Sequence, residues 1–175
     1  VPVSNVGNHD MRGLRLSDAD SLAVIAESGA LRVASESGPV AEYLVGGARV
    51  GLGCTPYGQE IPREVGSLFP EALGVVWVTH HDIGFEGAYP GAVEPFEIAG
   101  CGLVVNGHMH LEKQPVAAGR TLWCNFGSIT RTAIDAINHE PAVWRFSPGG
   151  GLTGHRLDHE RDVFDLTGRL VDEIW

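Results

Sequence analysis

Gly74-Val75-Val76-Trp77-Val78-Thr79 runs unbroken into His80-His81-Asp82, and Gly102-Leu103-Val104-Val105 runs in the same way into Asn106-Gly107-His108-Met109-His110. A short, continuous apolar run bounded by glycine is the pattern of a strand buried on both faces, as in the middle of a parallel sheet. Both runs stop on imidazoles. In an open α/β sheet the carboxyl ends of neighbouring strands face one crevice, so side chains far apart in sequence converge there. A third cluster, Gly7-Asn8-His9-Asp10, follows a short apolar lead and makes three polar junctions, which hold five of the eight histidines.

Working outward, Ser17-Asp18-Ala19-Asp20 places an N-cap residue and early acids before Leu22, Ile25 and Ala26, which predicts a helix reaching Ser28. Val40 to Val45 and Arg49 to Gly53, joined by Gly46-Gly47, read as a hairpin. A helix is expected near Glu94 to Ala99, between the two buried runs. Thr121 to Cys124 and Ala142 to Phe146 read as strands, Pro148 to Gly151 as the tip of a closing hairpin, and Asp165 to Trp175 as a short terminal helix. The expected fold is therefore α/β in a single domain spanning residues 1–175.

Composition narrows the class. With 43% hydrophobic and 19% charged residues the chain is neither disordered nor a coiled coil, and no stretch approaches the apolar length of a membrane span. The N-terminus lacks a signal pattern, so a cytoplasmic protein with no membrane partner is expected. A net charge of −10 disfavours a simple basic nucleic-acid binder. It does not exclude an enzyme acting on a polyanion, because a bound cation supplies its own local charge. Cys54, Cys101 and Cys124 are odd in number and unclustered, which suits reduced, buried thiols.

Each junction also has a plain structural reading. Asn8 and Asp10 suit a turn, since both residue types bond their own backbone. A histidine at a strand end is commonly a hydrogen-bonded, half-buried side chain, and His139, His155 and His159 are read that way. Three junctions carrying imidazoles and an amide oxygen are nevertheless a donor set suited to a divalent transition metal. Either His80 or His81 can serve as the ligand from the second junction.

Gly7-Asn8-His9-Asp10, the strand followed by His80-His81, and Gly107-His108-Met109-His110 resemble, in this order, the third, fourth and fifth motifs of the calcineurin-like metallophosphoesterase family. Asn125-Phe126-Gly127-Ser128 is similar to the Asn-Pro-Gly-Ser segment of many members, with Phe126 in place of proline. The resemblance covers Val6 to Arg131. It implies the family's β-sandwich flanked by helices, and two divalent metal ions, manganese first, with iron or zinc as alternatives. Asn8, His80 and His108 would ligate one metal and His110 the other. His9 would be the catalytic histidine beside the phosphate, oriented by Asp10. The implied activity is hydrolysis of a phosphodiester, in DNA or a nucleotide, by metal-activated hydroxide. Thr55-Pro56-Tyr57-Gly58 and the Gly-Ser-Ile-Thr-Arg segment resemble the branch of DNA-repair and phage-recombination exonucleases, with Arg131 as a phosphate contact.

The chain departs from the family pattern in one respect. The Asp-x-His and Gly-Asp-x-x-Asp motifs, which supply the carboxylates of the first metal and the bridge between the two, are not in it. The sequence thus reads as a fragment from the third motif onward, its N-terminal strand-helix units lying in a missing segment or a partner chain. On that reading an unpaired sheet edge is expected, with apolar residues near Val1 to Val6 or Trp77 exposed. The competing expectation is a catalytically degenerate regulatory or interaction domain of the same fold.

Overall fold

The computed structural model describes residues 1–87, 89–131, 134–148 and 151–164. Ten strands and one helix are found there: β1 (Val3–Asn5), α1 (Ser21–Glu27), β2 (Arg32–Ala34), β3 (Gly38–Val45), β4 (Ala48–Thr55), β5 (Gly74–Thr79), β6 (Leu103–Asn106), β7 (Glu112–Ala118), β8 (Thr121–Phe126), β9 (Ala142–Ser147) and β10 (Gly151–Arg156). Six strands form one mixed sheet in the order β3-β4-β5-β6-β8-β7, while β1-β2 and β9-β10 form two-stranded sheets.

The four central strands β4, β5, β6 and β8 run parallel, and β3 and β7 close the two edges antiparallel. The buried runs thus occupy the centre of the sheet, as their patterning requires. The hairpin through Gly46-Gly47 is β3-β4, and β9 and β10 pair antiparallel around the expected tip, of which Gly149 and Gly150 lie outside the described residues. Asp165 to Trp175 also lie outside them.

The α/β expectation is corrected here. The protein is mostly β, with one seven-residue helix among the described residues, and it is not a helix-flanked domain. The predicted helix at Glu94 to Ala99 is absent because Pro95 biases its predecessor away from helical backbone. Distant side chains satisfy the segment's polar groups instead. Trp123 Nε1 donates to the Phe96 carbonyl at 2.8 Å, and Thr121 Oγ1 accepts the Ile98 N–H at 3.0 Å. Ala99 lies parallel to Glu64 in an isolated bridge.

The core is built on one face of the sheet. Val75, Trp77, Val104 and Trp123 pack with Ile61, Val65, Phe69, Ile83, Phe85 and Ile98, so loops cover the face where helices were expected. Trp77 is fully buried and Val6 is 1% exposed, against the expectation of exposure, while Val1 and Pro2 at the start of that stretch are exposed. Gly53 makes room for the Trp77 indole, since a Cβ there would lie 2.0 Å from a ring carbon. The three cysteines are buried and free, as expected of packing thiols. No helix among the described residues is long and apolar enough to cross a membrane.

Candidate metal centre

Every candidate ligand lies just past the carboxyl end of a strand. Residues at the carboxyl ends of the parallel strands are in register, Thr55 beside Thr79, Thr79 beside Asn106, and Asn106 beside Asn125, and all four are buried. Their polar groups interlock. Thr79 Oγ1 donates to Asn106 Oδ1 at 3.1 Å, and the Asn106 amide donates to Asn125 Oδ1 at 3.0 Å. Asn125 Nδ2 donates to the carbonyls of Met109 and Leu111, and Asn106 Oδ1 also accepts the His81 N–H. Buried amides of this kind are costly unless satisfied, and here their partners are the loops that carry the imidazoles.

The first junction reaches the others through β1. Asn5 Nδ2 donates to the Thr55 carbonyl, and the Tyr57 N–H donates to the Val6 carbonyl, which docks Gly7-Asn8-His9-Asp10 against the end of β4. Gly7 leaves room for His80, because a Cβ there would lie 2.7 Å from the imidazole. Asn8, His9, Asp10, His80, Asp82, His108, Met109, His110 and Lys113 then line one cleft of about 530 Å³.

Within the cleft His80 Nε2 and Asn8 Oδ1 are 3.1 Å apart, and the His80 and His108 rings meet edge-on with centroids 5.0 Å apart. Burial, reinforced by the His108 charge and only partly opposed by Asp10, pushes His80 down to about 4. It is therefore neutral near pH 7. His81 is turned elsewhere: its Nε2 donates to the Gln59 carbonyl at 2.9 Å, and burial lowers its pKa as well. Of the two imidazoles, His80 is the one facing Asn8.

His9 is exposed on the cleft wall. Asp10, expected to orient it, is bonded to the backbone of its own turn. Its Oδ2 accepts the Gly7 N–H at 2.7 Å, while the Asp10 N–H donates to the Gly7 carbonyl, which closes the 3₁₀ turn Asn8–Asp10 in the turn role these residue types also suited. Arg131 lies apart from the cleft, its guanidinium donating to the carbonyls of Ile137, Glu160 and Arg161. His139 donates to the Ser128 carbonyl, in keeping with its plain reading.

Among the described residues no three His, Cys, Asp or Glu side chains are gathered to hold a metal ion. By chemistry alone, two imidazoles and an amide oxygen lining one cleft are donor types that suit a divalent ion. His80 Nε2 donates to Asn8 Oδ1 at 3.1 Å, a bond that both side chains would give up for an ion between them. His108 Nδ1 is buried without a hydrogen-bond partner. Sequence reasoning missed Asp82, whose Oδ1 lies 3.0 Å from His108 Nε2; the signal was a carboxylate directly after the histidine pair. No family model matches the chain, and no curated protein matches it significantly.

Proposed function

We propose that this cleft is the site of a metal-dependent phosphoesterase of the calcineurin-like pattern, hydrolysing phosphodiesters as a nuclease or nucleotide phosphodiesterase. The observation that carries the reading is the convergence of the three junctions, with Asn8 Oδ1 and His80 Nε2 3.1 Å apart and His108 one ring away. Asn8, His80 and His108 hold a divalent ion, manganese first. Bound there, it supplies Lewis-acid charge against phosphoryl oxygens and a nucleophile at neutral pH. His9, exposed on the wall, gives a proton to the leaving oxygen. Lys113, whose Nζ donates to the Glu86 carbonyl at the cleft, offers a cation to the substrate. A second ion at His110 needs an anionic bridge, because two cations about 3.5–4 Å apart repel strongly without one.

The second reading, a degenerate domain of the same fold, is favoured by the lack among the described residues of a gathered His, Cys, Asp and Glu set. Metal content measured beside hydrolysis of an activated phosphodiester, with manganese in excess, separates the two. His9→Asn is expected to keep its manganese and lose about two to four powers of ten in turnover, whereas His108→Ala loses the metal. Failure of the unaltered protein to take up manganese would favour the degenerate domain.

A further inference from the structure

We propose that Asp82 is a positioning residue that selects which ring nitrogen of His108 is offered to a cation. The inference rests on the metal-site reading above. A carboxylate only accepts, so the 3.0 Å contact between Asp82 Oδ1 and His108 Nε2 requires a proton on Nε2, and whenever the ring holds a single proton it is that one. The lone pair is then on Nδ1, the atom that is buried without a partner. Neutral imidazole coordinates only through its unprotonated nitrogen, and a carboxylate on the opposite nitrogen both fixes the ring and raises its basicity.

The surroundings hold this arrangement. Tyr57 lies across His108 with ring centroids 5.8 Å apart and planes inclined by 31°, and His80 meets its edge. Asp82 is anchored through its backbone, whose carbonyl accepts the Val93 N–H at 2.8 Å, and it precedes the fully buried Ile83. Its side chain is 48% exposed, so truncating it removes the contact to His108 and little packing. His81 provides the contrast. It too has a buried, unpartnered Nδ1, but its Nε2 is held by a backbone carbonyl and its ring is outside the cleft.

Long-range proton–nitrogen NMR on metal-free protein labelled at histidine reads the His108 tautomer directly, and a manganese titration reads affinity. In the unaltered protein the proton is expected on Nε2. Asp82→Ala should give a mixture of tautomers and weaken manganese binding by about 10- to 100-fold. Asp82→Asn, whose amide oxygen still accepts, should restore the Nε2 proton and most of the affinity. A proton on Nδ1 in the unaltered protein, an unchanged tautomer and affinity in Asp82→Ala, or equal weakening by Ala and Asn would each overturn the role. Equal weakening would show that the charge of Asp82, and not its acceptance from Nε2, is what matters. An unaltered protein with no affinity for manganese would sink the metal-site reading and this inference with it, whereas intact affinity in Asp82→Ala would sink the inference alone.

Discussion

His80 makes the site sensitive to acid before any metal is considered. Its pKa is held at about 4 against an ordinary 6.5, mainly by burial, so between those values the unfolded chain binds a proton that the folded protein does not. Stability therefore falls as pH drops below 6.5, and the loss attributable to His80 is complete near 4. The urea midpoint of the metal-free protein is expected to fall more steeply between pH 7 and 4 than that of His80→Gln, and equal slopes would show that burial does not exclude the proton. The candidate ligands were legible because imidazoles punctuating apolar runs are rare and physically awkward. Asp82 was passed over because its meaning depends on His108, a residue 26 positions further on.

The strands that could be read were those whose burial is complete. β5 and β6 show themselves as unbroken apolar runs, but β7 was invisible: Glu112-Lys113-Gln114-Pro115 is polar, and Pro115 falls at a register shift on an edge, where a missing N–H is tolerated. The irregular course of residues 94–99 could not be foreseen either, since it depends on Thr121 and Trp123 reaching back from β8. Between β4 and β5 the constraint is steric. Gly53→Ala would press a methyl into the buried Trp77 ring and is expected to cost about 1–3 kcal/mol or more. Gly74→Ala, with nothing within 4 Å of its added carbon, is the matched control. Urea denaturation of the pair checks this, and similar midpoints would mean that the sheet yields at Trp77.

For the molecule as a whole, a net charge of −10 sets the approach of an anionic substrate against the long-range field. Added salt screens that repulsion, with a Debye length of about 10 Å at 0.1 M. At saturating manganese, kcat/KM for a phosphodiester is expected to rise a few-fold, roughly, between low and moderate ionic strength, with kcat little changed. A fall would point to a local basic field that outweighs the net charge. The interlocked ends of the parallel strands have one further consequence. Asn106 is bonded at once to Thr79, Asn125 and the His81 N–H, and Asn125 in turn holds two carbonyls of the loop after β6. No single loop can swing away without stranding an amide in the interior, so the rim behaves as one latch with one opening energy. Hydrogen exchange would register it as a shared protection factor for the amides of His81 and Gly107, and a ligand gripping one junction would slow them both.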